Sequence, residues 1–245
     1  PDSYVGMKFR TRFRTPFPVF NNIIVPLCIS RNVFRTKRCD ISIPVKFKVL
    51  IALRILGRGH DYDTMEELSL IPMSTCHSIF KQFIYSFVFE FFDEFVKMPV
   101  GDDLKKVMKT YKMMGLNGCV GSLDCTHIFW KRCPSDWTNY CTGKEKCTTL
   151  AFLVVVDHDK RVLICSDAFF GAANDKLIVK SVPQTLQIMR GSLQNILYTL
   201  YLDENTTITV QGAWILADGG FLQIGCFIDP GMTNFSMEVV RWSEF

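Results

Sequence analysis

Several absences narrow the class of this 245-residue chain. No apolar run approaches the roughly 18–20 residues that span a bilayer. The richest stretch, Phe83 to Phe95, is interrupted by Glu90, Asp93 and Glu94. No secretion signal opens the chain, and none of its cysteines forms a CxxC pair. A disulfide-stapled secreted domain is therefore not expected, and the ten thiols read as reduced and intracellular. Cys119 and Cys165 lie in apolar runs, where a thiol packs as a small hydrophobe. Cys125, His127, Cys133, Cys141 and Cys147 can be drawn together as a zinc site, but their spacings match no usual knuckle. There is no internal repeat and no low-complexity tract. Disorder is excluded by what is present: 48% apolar residues, 21 of all residues being Phe. The first residue is Pro1 rather than Met, so the chain is expected to be part of something longer.

The net charge of +4 hides an asymmetry. Residues 1–60 hold 12 Lys/Arg and 2 Asp/Glu, a surplus of +10, while the remainder carries −6. A basic head suggests a polyanionic partner. An acidic body argues against a protein that merely coats nucleic acid.

The head reads as helical. Thr15-Pro16 opens a helix whose apolar residues Phe17, Phe20, Ile23, Ile24 and Leu27 recur at helical spacing, and Pro26 is expected to kink or end it. A second helix starts near Pro44 with Val45, Val49, Leu53 and Leu56 on one stripe, and Gly57 is its expected stop. A helix-turn-helix candidate follows. Asp63 and Glu66 form a capping box for a helix over 64–70, Ile71-Pro72 breaks it, and Ser74 caps a long helix. That helix carries Ile79, Phe80, Phe83, Ile84, Phe87, Val88, Phe91 and Phe95 at a 3.6-residue period. Ser74, Thr75, Ser78 and Lys81 lie on its first turns, where a recognition helix meets base edges. The glycine usual in such turns is missing, and a plain helical hairpin gives the same pattern.

From about residue 118 the pattern changes to strands. Cys119 to Leu123 leads to Asp124, and Thr126 to Trp130 continues it. A polar loop over 131–147 contains Lys131, Arg132, Lys144 and Lys146. Thr149 to Val156 is a buried strand type. Asp157-His158-Asp159-Lys160 is a turn, and Arg161 to Ser166 the returning strand. Asn174 caps a helix from Asp175 to about Met189, and Trp214-Ile215-Leu216-Ala217 is a fourth strand. The body reads β-β-β-α-β, with 194–212 unassigned and Asp203-Glu204-Asn205 as a loop tip.

Asp124, Asp175 and Asp218 each follow an apolar, strand-like run or a tight turn. Ligands gather outside the carboxyl ends of strands in α/β sheets. Two such Asp at one edge offer hard oxygen ligands of the kind that magnesium takes alongside water and phosphate. Two ions about 4 Å apart can activate water and stabilise a leaving oxygen in phosphodiester cleavage. Asp157, Asp159, Asp203 and Asp229 read instead as turn residues.

Gly121-Ser122-Leu123-Asp124-Cys125-Thr126-His127, then Trp130 and Cys133-Pro134, resembles the first catalytic motif of Harbinger/PIF-type transposases, in the plant-transposon-like branch of the DDE superfamily. Thr149-Leu150-Ala151-Phe152 through Phe169-Phe170-Gly171-Ala172-Ala173-Asn174-Asp175 resembles the second motif, and Ile215-Leu216-Ala217-Asp218-Gly219-Gly220-Phe221 the third. Arg12-Phe13-Arg14, Leu53 to Gly59 and Glu67-Leu68-Ser69 are also similar to that branch. The resemblance implies an α/β, RNase H-like mixed sheet with flanking helices over 113–245. An all-helical, basic, helix-turn-helix-like DNA-binding region over 1–112 precedes it. It implies that the first and fourth strands are neighbours, so that Asp124 and Asp218 face each other. With Asp175 they would bind a divalent metal, Mg²⁺ or Mn²⁺, for DNA hydrolysis and strand transfer.

Arg10, Arg12, Arg14, Ser74, Thr75, Ser78, Lys81, Lys131 and Arg132 are the expected DNA contacts. The implied partner is duplex DNA at transposon ends, with an accessory DNA-binding protein or a second copy of the chain as further candidates. No membrane is involved, and the nucleus is the implied location. Three positions depart from the family pattern: Cys125, Lys176 and the Gly219-Gly220-Phe221 run. The family's last acid is a Glu on a downstream helix. Only 27 residues follow Asp218, and neither Glu238 nor Glu244 sits in a matching motif. The chain by itself is therefore expected to bind metal weakly and not to cleave. A domesticated, non-catalytic DNA-binding or protein-interaction module on the same fold is the alternative.

Overall fold

The computed structural model describes residues 3–34, 43–201, 206–221 and 226–229. The loop tip 203–205 and both Glu238 and Glu244 lie outside the described residues. The chain forms two compact units, Pro1–Glu94 and Phe95–Phe245.

The first unit is helical. Helix α1, Tyr4–Phe13, is capped by the Ser3 hydroxyl, which accepts from the Gly6 N–H, and ends at Arg14 with φ 55°. The expected break at Pro26 does not occur. Helix α2, Phe17–Val19, runs through a π-turn, Phe20–Ile24, into α3, Val25–Ser30. Proline has no N–H to donate and its ring crowds the preceding turn. The wider turn just ahead of Pro26 accommodates this, with the Val25 N–H donating to Phe20 O.

Helix α4 spans Val45–Arg58 and stops at Gly59, φ 65°, two residues beyond the expected Gly57. Gly57 serves packing instead: a Cβ there would lie 3.0 Å from Arg14 Cγ and 3.4 Å from the Phe13 carbonyl carbon. Its bare backbone lets the end of α1 sit against α4. Helix α5 covers Tyr62–Ser69, with Asp61 rather than Asp63 as its cap; the Asp61 carboxylate accepts from Thr64 N–H at 2.7 Å. Helix α6, Met73–Phe95, follows. Pro72 precedes it and offers no side-chain oxygen, so Glu66 reaches across the turn and accepts from Met73 N–H at 2.7 Å, in place of the expected Ser74. Val49, Ala52, Cys76, Ile79 and Phe83 form the centre of this unit's core, while Val88 and Phe95 on the expected stripe are exposed.

The second unit holds the sheet. Helix α7, Gly101–Met113, packs through Val107 and Tyr111 on Cys119 and Trp214. It therefore lies with the strands, although its sequence position groups it with the helical region. The strands are β1 Cys119–Phe129, β2 Thr149–Val156, β3 Val162–Cys165, β4 Phe169–Phe170, β5 Leu197–Tyr201, β6 Thr207–Gln211, β7 Trp214–Ala217 and β8 Phe227–Ile228. A short helix, α8 Thr138–Cys141, lies between β1 and β2.

The main sheet has the order β3-β2-β1-β7-β8, with β4 also pairing β2. β1, β2 and β3 are antiparallel neighbours, and β7 and β8 add in parallel. This is an RNase H-like mixed sheet with the first strand beside the fourth strand of the sequence reading. β5 and β6 form a separate hairpin in the segment left unassigned by pattern.

The expected helix from Asp175 to Met189 is two helices, α9 Asp175–Ser181 and α10 Pro183–Met189. Pro183 forces Val182 into an extended conformation, ψ 122°, and starts a new helix. Leu153, Val155, Leu163 and Ile215 from the sheet meet Ile178 and Val179 of α9 in the core.

Candidate metal centre and DNA interface

The three sequence-selected carboxylates come from β1, the end of β7 and the start of α9. Parallel pairing sets Ser122 beside Leu216 and Leu123 beside Ala217, so Asp124 and Asp218 are the next positions on neighbouring strands. Asp124 does not end its strand, as the apolar run suggested. β1 continues through it to Phe129, and Asp124 stands opposite Val154 of β2. Only the pairing with β7 stops there, and Asp124 is exposed. One of its oxygens accepts from the Cys125 N–H at 2.7 Å.

Asp218 follows β7 in an exposed turn and accepts from Gly220 N–H at 3.4 Å. Asp175 opens α9 behind its cap Asn174, which accepts from Lys176 N–H at 2.8 Å. A Cβ on Gly220 would lie 3.8 Å from Asp218 Oδ2 and 4.0 Å from Asp175 Oδ2. Both carboxylates thus border the same space, kept free by a residue without a side chain.

That space carries concentrated negative charge. Lys144, from the loop after α8, answers it with Nζ 3.4 Å from Asp175 Oδ2. Asp175 foremost, with Glu145 and Asp124, raises the pKa of Lys144, so its ammonium is well held. Cys125 is pushed up to about 12, by burial first and then by Asp175 and Asp124. It remains a neutral thiol rather than a nucleophile.

Among the described residues no three His, Cys, Asp or Glu side chains converge as a metal-holding group. The donor chemistry nonetheless suits a hard divalent cation: carboxylate oxygens on adjoining strand positions, and a glycine-lined gap between two of them.

A cavity of about 430 Å³ opens beside these groups, lined by His127, Lys144, Gly171, Asn174, Asp175 and Gly220. Gly143 and Gly171 make its wall through close backbone approach: a Cβ on Gly143 would meet the Gly171 carbonyl. Ala172 N–H donates to Tyr140 O at 3.0 Å, tying the β4 end to α8. His127 Nδ1 pairs with Thr149 Oγ1 at 3.0 Å, whereas its Nε2 is buried without a partner. Trp130, Trp137, Phe170 and Tyr140 form a chain of ring contacts, with centroids 5.7–5.8 Å apart, in the same region as Gly171.

The expected DNA contacts fall in three places. Arg10 and Arg12 are exposed on α1, and Arg14 follows it, with Nε donating to Gly57 O at 3.4 Å. Ser74, Ser78 and Lys81 are exposed on the first turns of α6, with Thr75 half-buried. Ser78 Oγ accepts from Gln82 Nε2 at 3.2 Å, and Lys81 leans over the Tyr85 ring. Lys131 and Arg132 are exposed directly after β1.

Sequence reasoning named His127 and Gly220 within the motifs without giving them a role, and it did not bring Lys144 to the site. The polar loop was visible, but nothing local indicates that Lys144 meets Asp175 across 31 positions.

Residues 93–232 match the family described as Plant transposon protein, a span that includes Asp124, Asp175, Asp218 and every strand of the sheet. Protein ALP1-like of Arabidopsis thaliana is 27% identical over 185 residues, 75% of this chain and 44% of that relative. The chain thus spans less than half the length of the curated relative it matches. No solved structure matches. With motif order, strand order and family match in agreement, the chain belongs to the plant transposon protein family, among the Harbinger-type, DDE transposase-derived proteins.

Proposed function

We propose that the sheet unit is the phosphodiester-cleaving centre of a DNA endonuclease, with Asp124, Asp175 and Asp218 as its carboxylate ligands. The observation that carries this reading is the register of β1 on β7, which makes Asp124 and Asp218 neighbours, together with the Gly220 gap shared by Asp218 and Asp175. Families of this DDE type generally use divalent metal. Mg²⁺ or Mn²⁺ held by the oxygens of Asp124, Asp175 and Asp218 would supply charge neutralisation at the scissile phosphate and activation of a water.

The chain's own residues supply the rest. The three carboxylates fix the ligand positions, and Lys144 orients Asp175. The net reaction joins a water oxygen to phosphorus, breaks the bond to the bridging O3′ and transfers a proton to that oxygen. The 3′ hydroxyl released is the group that strand transfer joins to target DNA. Duplex DNA at transposon ends, an accessory DNA-binding protein, self-association and nuclear location belong to the same proposal. Among the described residues no helix is long and apolar enough to cross a membrane.

The test is nicking of supercoiled plasmid in Mn²⁺ by the protein in its longest expressed form. Asp124→Asn and Asp218→Asn should each abolish nicking while leaving circular dichroism unchanged. Retained nicking in both variants would remove these residues from the chemistry.

A second reading, a non-catalytic DNA-binding or protein-interaction module, is favoured by the Lys144–Asp175 ion pair, which already places a cation on one ligand. It expects no nicking by the wild type, with DNA affinity unchanged or tighter in the Asp variants.

A further inference from the structure

The helical unit carries a cationic groove that the hairpin reading does not use. It lies between α1 and α4, has a volume of about 620 Å³ and is lined by Lys8, Thr11, Arg12, Arg54, Arg58 and His60. Lys8 and Arg12 are four residues apart on α1, as are Arg54 and Arg58 on α4. Residues at that spacing share one helix face, and like charges there destabilise a helix. Each helix thus bears a repelling pair that its own folding does not favour, and the two pairs line one groove.

The fold holds this arrangement in place. Arg54 Nη1 donates to Arg12 O at 3.2 Å, and Arg14 Nε to Gly57 O at 3.4 Å. Each guanidinium grips the carboxyl end of the opposite helix, and the close approach at Gly57 brings those ends together. Part of the charge is structural for that reason. Two helix C-termini offer roughly half a negative charge each. They stand against five cations: Lys8, Arg12, Arg14, Arg54 and Arg58. A surplus of about four remains on that reckoning.

Among the described residues none of the five has an acidic partner. His60, at the groove's end, has Asp61 beside it. The Arg54 guanidinium feels the crowding: burial, then Arg58 and Arg12, lower its pKa. The first turns of α6 contrast with this. Lys81 is the one cation among the sequence-selected residues there, and Glu66 sits at the helix start.

We propose that the α1–α4 groove, rather than the start of α6, is the principal phosphate-binding surface of this chain, gripping the backbone of duplex DNA without reading its sequence. This deepens the nuclease reading by naming where its substrate is held. Lys8, Arg12 and Arg58 are the groups free to meet phosphates, while Arg54 and Arg14 fix the groove's shape.

The test measures the affinity of the 245-residue chain for a fluorescein-labelled 30-bp duplex of arbitrary sequence, by anisotropy, in EDTA and at several KCl concentrations. Removing two phosphate contacts with Arg12→Gln/Arg58→Gln should lower the slope of log K against log salt by about 1.8 and weaken binding at least ten-fold at low salt. Arg12→Lys/Arg58→Lys should keep the wild-type slope, which separates charge loss from misfolding, and thermal melts of both variants check the fold. An unchanged slope and affinity in the Gln variant overturns the proposal. So does displacement of the duplex by poly-glutamate at equal charge concentration, which assigns the groove to acidic protein. Because EDTA removes cleavage from the measurement, loss of nicking with the groove intact counts against the nuclease reading alone.

Discussion

The two units handle like charge in opposite ways. In the helical unit Lys8, Arg12, Arg54 and Arg58 line one groove, and the nearest relief is the partial charge of two helix ends. In the sheet unit Asp124 and Asp218 hold adjoining positions on β1 and β7, Asp175 and Asp218 border the gap at Gly220, and the nearest relief is the ammonium of Lys144. Neither cluster contributes to a core; each is held by one. Val49, Ala52 and Cys76 are fully buried in the first unit, and Leu153, Val155 and Ile215 in the second. Self-repelling surfaces of opposite sign, each on its own scaffold, are suited to ligands of opposite sign, anions at the first and cations at the second.

The largest effect expected from breaking this comparison is on the sheet scaffold. Leu153 is fully buried in the centre of β2, and Leu153→Ala should cost about 3 kcal/mol through lost contacts and a residual cavity. All four tryptophans lie after residue 95, so tryptophan fluorescence reports the second unit alone. In urea the fluorescence midpoint should fall, while the duplex affinity without denaturant stays at the wild-type value. A parallel loss of DNA binding would show that the two units do not stand on separate cores.

A smaller loss is expected at the cavity wall. A Cβ on Gly171 would meet Thr149 Oγ1, and would lie 2.5 Å from Cys141 O and 2.7 Å from Thr149 O. Two of those three atoms are backbone and cannot rotate away. Gly171→Ala should cost about 1–3 kcal/mol by overpacking, read as a lower calorimetric Tm. Below that comes the cap of α6 in the other unit. Glu66→Ala removes the acceptor for Met73 N–H and should cost about 1 kcal/mol in a helix-monitored melt. Glu66→Gln keeps an oxygen there and should recover most of it.

What could be read in the sequence is what is decided locally. The Asn174 cap, the 157–160 turn between β2 and β3 and the apolar strand before Asp218 depend on neighbours a few residues away, and all are present. The family resemblance implied the pairing of the first and fourth strands, and with it the adjacency of Asp124 and Asp218. Pro183 splits the helix expected over 175–189, because the residue before a proline is held out of the helical region. The remainder depends on partners distant in sequence. Gly57 is a packing glycine because α1 arrives against it, Glu66 caps a helix seven residues away, and Asp124 sits mid-strand because β2 pairs past the point where β7 stops. The short β8, Phe227–Ile228, has too few residues to show a period at all.

The smallest expected effect is also the most pointed for the acidic cluster. Lys144 and a divalent ion compete for the charge of Asp175, because both are cations drawn to the same oxygens. Lys144→Met removes one competitor and keeps the apolar stem. Mn²⁺ affinity of the 245-residue chain, by titration calorimetry, should therefore tighten a few-fold. The Lys144 side chain is 63% exposed, so solvent screening keeps the gain modest. The pH dependence has a definite sign. The folded-state pKa of Lys144 is raised, so its ion pair is complete below the ordinary lysine value and fades only as pH rises through the raised one. The ratio of variant to wild-type affinity should then be constant between about pH 6.5 and 8.5, since the ammonium keeps its charge throughout that interval. A ratio of one across the whole interval would mean that Lys144 orients Asp175 without competing for it, and the relief of charge in the sheet unit would then have to come from solvent.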